Sequence, residues 1–385
     1  MQSVTSSKGL SDVQRFEAIE AAQKLISRLQ TKEERAYEIG FSWPVVFASL
    51  QTCLDLHLWE GWRNAGRSQM TLSELCRVCE PEVDPKLLRR MLRLLAAVNI
   101  VEESGEDMYK ATPFTLACGE RETFVPQCID CSTFHYQMSG LNLPKYLEKI
   151  GYKVPEDAAR SNYADWSPGH LDAYARCQAD PAAQDVFSGF MRGWSGYKKP
   201  WVAFFDTTTL LKGVDLSSAP LCVDIGGHHG TDLVQLLDKY PALPEGSLVL
   251  QDLPECISDA KGLSKQVKVM PHDMFSPQPV KGARAYYFHA VLHNWPDSDA
   301  LTALTHTADA MKRGYSKVLI DDIVIPRTGA SWIQTTMDVE MMSLCSAYER
   351  SEPMWTDLLT KAGLRIVKIW KDGRGNESLI EAELA

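Results

Sequence analysis

Beyond residue 220 the chain changes period, and that change restricts the folds open to it. Short apolar runs (LCVDI, SLVLQD, QVKVMPHD, ARAYYFHAVL, KVLIDDIVI) alternate with stretches of helical spacing (GTDLVQLLDKY, PECISDAKGL, SDALTALTHTADAMKR). Strands separated by helices of about 10–15 residues build βαβ units around a mostly parallel sheet. A helix over 353–363 and two further strands, LRIVKIWKD and SLIEAELA, close the pattern. The expectation is an α/β domain spanning 206–385.

The preceding part follows another grammar. DVQRFEAIEAAQKLISRLQ has an apolar stripe at helical spacing, and SWPVVFASLQTCLDLHLWEGW is apolar on most faces, as a buried or interface helix is. Thr71 with Glu74 predicts a capping box, and Asp84 before Pro85 predicts the start of the helix DPKLLRRMLRLLAAVNIV. IVEESGEDMYKAT then predicts a hairpin turning around Ser104-Gly105. Helix, turn, helix, hairpin is winged-helix order, and it is placed over 1–115. Residues 116–205 carry aromatics and breakers (SNYADWSPGH, GFMRGWSGYKKPW) and predict a helical connector that roofs a cleft.

A net charge of −10 argues against a nucleic-acid partner, which needs clustered cations. Lys86, Arg89, Arg90 and Arg93 nonetheless fall on one winged-helix segment, so a DNA-binding regulator is the non-enzyme reading; a solvated face packed through Leu87, Leu88, Met91 and Leu94 is the simpler one. No run of about 18 apolar residues is present, so no membrane span is expected. The start of the chain has no apolar core of a signal peptide, and ten scattered cysteines suit a reducing cytoplasm. The pairs Cys76/Cys79 and Cys128/Cys131 are read as buried thiols rather than zinc ligands, and adjacent His228 and His229 rarely converge on one ion, so no metal is expected.

LCVDIGGHHG, residues 221–230, ends a strand in a glycine turn. Gly226 and Gly227 let backbone approach a ligand, and the helix that follows offers unpaired N–H groups. Asp252, ending the second strand in LVLQDLP, is placed to bridge the hydroxyls of a ribose. Asp273, ending the third in VMPHDMF, can accept from an exocyclic amine while Met274 packs on a base. None of these loops offers a lysine or arginine cradle for phosphate, so the pattern points away from dinucleotides and towards an adenosyl sulfonium.

At these residues the chain resembles the S-adenosylmethionine-dependent small-molecule O-methyltransferases of the plant caffeate type, especially their fungal secondary-metabolite branch. The likeness rests on VDIGG, QDLPE, PHDMFSPQPVKGARAYYFHAVLHNWPD and YERSEPMWTDLLTKAGL. It implies a class I methyltransferase Rossmann-like fold with an N-terminal winged-helix dimerisation domain, and S-adenosylmethionine held by Gly226, Gly227, Asp252, Leu253, Asp273, Met274 and His289. It makes His293, in LHNWPD, the general base for methylation of a small-molecule hydroxyl, flanked by Asp322 and Glu349. Phe187, Met191, Met341 and Cys345 would line the acceptor pocket. Related enzymes swap their apolar N-terminal helices between subunits, so a homodimer is expected.

The chain also departs from that family. His228 stands where a third glycine is usual, His289 where arginine or lysine is frequent, and Asp322 is one methylene shorter than the usual glutamate. Some members, similar to the leporin-type cyclases, keep the cofactor without transferring its methyl and steer dehydration and pericyclic steps. That is the rival enzyme reading; retention of His293 weighs against it. A nicotinamide oxidoreductase would need neither Asp273-Met274 nor the LHNWPD histidine.

Overall fold

The computed structural model describes residues 9–257, 260, 262–373 and 377–385. The chain divides into two compact units: Gln14–Met138 with Arg176–Lys198, and Met1–Val13 with Ser139–Ala175 and Lys199–Ala385. Residues 116–205 are thus shared between the two.

In the first unit the apolar stretch after Ser42 forms two helices, Trp43–Asp55 and Leu58–Asn64, where the sequence suggested one. His57 takes a left-handed φ of 50° between them, and the restarted helix buries Leu58, Trp59 and Trp62. The anticipated capping box is present: Glu74 N donates to Thr71 Oγ1 (3.3 Å) and Thr71 N to Glu74 Oε2 (2.9 Å). Asp84 caps helix Pro85–Ala97, whose Leu88, Leu92 and Leu95 enter the core. Strands Val101–Gly105 and Met108–Ala111 pair antiparallel beside Gln69–Thr71. The hairpin turns later than expected, at Glu106-Asp107, because Asp107 takes the left-handed conformation (φ 52°) while Gly105 stays within its strand. Arg89 donates twice to Asp107, both at 2.6 Å, and Arg93 lies 3.9 Å from Glu103, so these two cations face hairpin carboxylates.

The second unit is built on a seven-stranded sheet: β1 Cys222–Ile225, β2 Leu248–Asp252, β3 Val267–Pro271, β4 Ala285–His289, β5 Lys317–Asp322, β6 Leu364–Lys371 and β7 Ser378–Leu384, in the order β6-β7-β5-β4-β1-β2-β3. Six strands run in one direction; β7 inserts antiparallel between β5 and β6. The chain runs outward one way through β1, β2 and β3 and the other way through β4 and β5. The β1/β4 junction is therefore the switch point beyond which ligands bind in such sheets. Only Pro254–Ile257 of the helix expected over PECISDAKGL is described as helical; Ser258, Asp259 and Lys261 lie outside the described residues.

Strand alternation sorts side chains between two cores. Tyr286, Phe288, Val318 and Ile320 join one, with Trp355; Tyr287 and Leu319 join the other, with Trp201. The same alternation sends the last residues of β4 and β5 to opposite faces, which sets up the site.

Candidate active site

The glycine turn is dictated by space. Gly226 has φ +76°, and a Cβ there would lie 2.7 Å from Val291 Cγ2. At Gly227 a Cβ would lie 2.4 Å from Asp224 Oδ2. Both amides are aimed back at the Gln251 carbonyl, at 2.8 and 3.2 Å. His228 follows with φ 48°, and Gly230 (φ 76°) caps helix Thr231–Lys239. Asp224 itself is sealed under the turn at 1% exposure, and burial pushes its carboxyl well above the usual range.

Asp252 is anchored by the same turn. His228 N donates to its Oδ2 (2.9 Å) and Leu253 N to its Oδ1 (2.7 Å), which fixes the carboxylate while each oxygen keeps a further lone pair. β3 ends at Pro271, so Asp273 lies just past the strand; it is exposed and accepts Phe275 N at 2.9 Å. Met274 is half-buried against the core. Two glycines with no room for a Cβ, a pinned carboxylate on the next strand and a half-buried methionine beyond the third thus stand at the carboxyl ends of adjacent strands.

On the Phe288 face, His293 sits in the short 3₁₀ turn Leu292–Asn294, which follows left-handed Ala290 (φ 52°). Its Nδ1 meets Glu349 Oε1 at 2.8 Å, and the Glu349 side chain is fully buried. Glu349 N donates to Asp338 Oδ1 at 2.9 Å, tying it to helix Trp332–Cys345. Asp322 is buried with no hydrogen-bond partner for either oxygen among the described residues, and its carboxyl is pushed up to about 6, chiefly by burial and against the pull of His293.

On the Tyr287 face, His289 Nδ1 meets Asp232 Oδ2 at 2.7 Å and Nε2 lies 3.5 Å from Glu377 Oε1. Tyr287 donates to Asp321 Oδ2 at 3.2 Å. The ligand atoms of His289, Asp321 and Glu377 lie within 4.8 Å of one another, close enough to surround an ion. Both ring nitrogens face carboxylates, Nδ1 at hydrogen-bonding distance and Nε2 at 3.5 Å, so the ring's polar contacts are directed within this cluster.

The expected acceptor residues fall on two helices. Phe187 and Met191 belong to Pro181–Tyr197 of the first unit, where Phe187 packs edge-on to His135 with ring centroids 6.0 Å apart. Met341 and Cys345 are buried on Trp332–Cys345 of the second unit, and burial pushes the Cys345 thiol up to about 12. Sequence reading missed Asp232, Asp338 and Arg350. A charged residue buried inside a strand-like segment was the available signal for Arg350, but arginine reads first as surface.

Three comparisons bear on this site. A family profile described as an O-methyltransferase domain matches residues 183–365. The O-methyltransferase ATR12 of Stachybotrys chlorohalonatus (strain IBT 40285) is 45% identical over 370 residues, covering 96% of this chain and 93% of its own. Among solved structures, a pericyclic reaction enzyme matches with a TM-score of 0.88 at 24% identity, over 98% of this chain and 96% of its own. LepI in complex with SAM matches with the same TM-score at 25% identity and the same coverage.

Proposed function

We propose that this chain, which belongs to the O-methyltransferase family and has its α/β class I methyltransferase fold, methylates a hydroxyl of a small aromatic or polyketide-type metabolite in the cytosol with His293 as general base. The cofactor is S-adenosylmethionine, which supplies a methyl group on a sulfonium, open to in-line displacement by an oxygen nucleophile. Gly226, Gly227, Asp252, Leu253, Asp273, Met274 and His289 would hold it. Met341 and Cys345, buried on Trp332–Cys345, would line the acceptor site.

The observation that carries this reading is the 2.8 Å contact of His293 Nδ1 with Glu349, beside the unpartnered Asp322 carboxyl. The bond to Glu349 selects the neutral tautomer protonated at Nδ1, which puts the basic lone pair at Nε2. That lone pair takes the acceptor's hydroxyl proton as the oxygen becomes nucleophilic. Glu349 and Asp322 then face the imidazolium, as a carboxylate does in a hydrolase triad. Aligning the acceptor oxygen supplies much of the remaining acceleration.

The His293→Ala variant tests the reading. Turnover, measured as S-adenosylhomocysteine released with phenolic polyketide or alkaloid acceptors, falls about 10²–10⁴-fold. Cofactor affinity by calorimetry stays within a few-fold; unchanged turnover removes the base. The second reading, a cyclase that keeps its cofactor intact, draws on His228 in the glycine turn. Product without S-adenosylhomocysteine would select it.

The acceptor is proposed to bind a homodimer, with 1–115 as the dimerisation domain, 116–205 as connector and 206–385 as catalytic domain. Helix Asp12–Leu29 buries no residue in its own chain, and Ile26, Leu29, Phe41 and Trp43 stand exposed. A second copy would cover them. Sedimentation as a monomer at micromolar concentration would contradict this.

A further inference from the structure

The turn that carries His293 is a single 3₁₀ turn, a geometry with poorer internal hydrogen bonds than an α-helix. Its own ties are Asn294 N to Val291 O (3.1 Å), Trp295 N to Leu292 O (3.3 Å) and Asn294 Nδ2 to Ala290 O (3.0 Å). Arg350, 0% exposed, reaches this turn from the far side of the sequence. Its Nη1 donates to Leu292 O (2.9 Å), its Nη2 to Trp295 O (2.8 Å) and its Nε to Asp297 Oδ1 (2.8 Å). The two carbonyls lie on either side of His293. The guanidinium is held between the rings of Tyr348 and Trp355, 5.0 and 5.1 Å away.

We propose that Arg350 is a positioning residue for His293: its guanidinium clamps both flanks of the turn and so fixes where the imidazole stands. The assignment rests on the general-base reading of His293. Arg350 and its neighbour Glu349 act as a unit, one holding the backbone and the other the ring. Arg350–Ser351 also pairs as a short parallel strand with Val324–Ile325, just beyond Asp322. The three groups around the imidazole are therefore tied to one another through one two-residue strand. A planar five-donor fork can bind both carbonyls and Asp297 at once; a lysine ammonium on a flexible stem cannot keep that geometry.

The experiment compares Arg350→Lys, Asn294→Ala and His293→Ala in the full-length protein. With the turn released, Arg350→Lys lowers kcat about 30–100-fold, the scale expected for a catalytic group displaced by about 1 Å. Cofactor Kd by calorimetry stays within about twofold, because Arg350 bonds only Leu292, Trp295 and Asp297, none of which is among the residues proposed to hold the cofactor. The acid limb of the kcat profile moves to lower pH, since an imidazole that loses Glu349 gives up its proton more readily. Asn294→Ala, which removes a weaker tie of the same turn, lowers kcat less, about 3–10-fold, with the same movement of the limb, and it decides the matter if Arg350→Lys does not fold. The assignment is overturned if folded Arg350→Lys, or Asn294→Ala in its place, turns over within about twofold of the wild type, or if kcat falls with the acid limb unmoved. Should His293→Ala remain active, the general-base reading fails first; should it be inactive while Arg350→Lys turns over normally, only the clamp fails.

Discussion

His289 and His293 leave the end of the same strand, and each finds carboxylates, yet the two surroundings differ in kind. His289 points to the Tyr287 face, where Asp232 meets one ring nitrogen at 2.7 Å and Glu377 approaches the other at 3.5 Å. His293 meets Glu349 through Nδ1 at 2.8 Å, with Asp322 contributing charge rather than a hydrogen bond. Adjacent Asp321 and Asp322 supply one acid to each cluster, because neighbouring strand residues face opposite ways. In the first arrangement carboxylates approach both ring nitrogens; in the second a hydrogen bond joins Nδ1 to the fully buried Glu349. The number of acids near the two rings is similar, and it is their placement about the ring that differs.

The sharpest way to break this comparison is to remove each ring in turn. His289→Ala removes the ring that bonds Asp232 and stands beside Asp321 and Glu377, and is expected to cost about 3–5 kcal/mol, as stranding the remaining partner of a buried pair does. A thermal melt near neutral pH should then show Tm lowered by roughly 10 °C. His293→Ala also strands a buried carboxylate, Glu349, so its distinguishing mark is the loss of turnover, whereas His289→Ala keeps turnover in whatever fraction stays folded. If His289→Ala melts like the wild type, its cluster is not a scaffold and the contrast collapses.

A smaller effect sharpens the second cluster. Burial raises Asp322 from 3.8 to about 6, so the folded state prefers its protonated form. The stability this gives is complete below about pH 4 and is lost as pH rises through about 6, an upper bound of roughly 3 kcal/mol. Asp322→Asn does not ionise. Its Tm should match the wild type near pH 4 and exceed it above pH 6, while kcat falls about tenfold for want of the charge facing the imidazolium. A Tm difference that does not vary with pH would remove Asp322 as the titrating group.

How much of this was legible beforehand follows the reach of local rules. The βαβ alternation, the Thr71–Glu74 box, the Asp84-Pro85 start and the need for glycine at 226 and 227 depend on neighbours in sequence, and the chain shows them. So does Asp252 at the end of β2. Other features depend on which distant segments the sheet brings together. Glu377 reaches His289 only because β7 turns back beside β5, and Arg350 reaches the His293 turn from a short strand paired beyond the end of β5. The break at His57 and the later hairpin turn at Asp107 are left-handed residues that are not glycine, which composition gives no reason to expect.

The mildest prediction concerns another such residue and returns to the His289 side. His228 holds φ 48° in the turn that leads into Thr231–Lys239, whose Asp232 meets His289. A side chain in that conformation costs about 1–2 kcal/mol, part of which glycine gives back through its freer unfolded chain. His228→Gly should therefore gain about 0.5–1 kcal/mol, seen as Tm raised by about 2–4 °C. His228 N would still donate its bond to Asp252, so cofactor affinity should hold. If the Tm does not rise, the contact of the His228 ring with His229, centroids 3.8 Å apart, offsets the strain it occupies. In that case the residue is kept for packing. A gain in stability without a change in kcat would instead show that the scaffold beneath His289 can be relaxed independently of the reacting histidine.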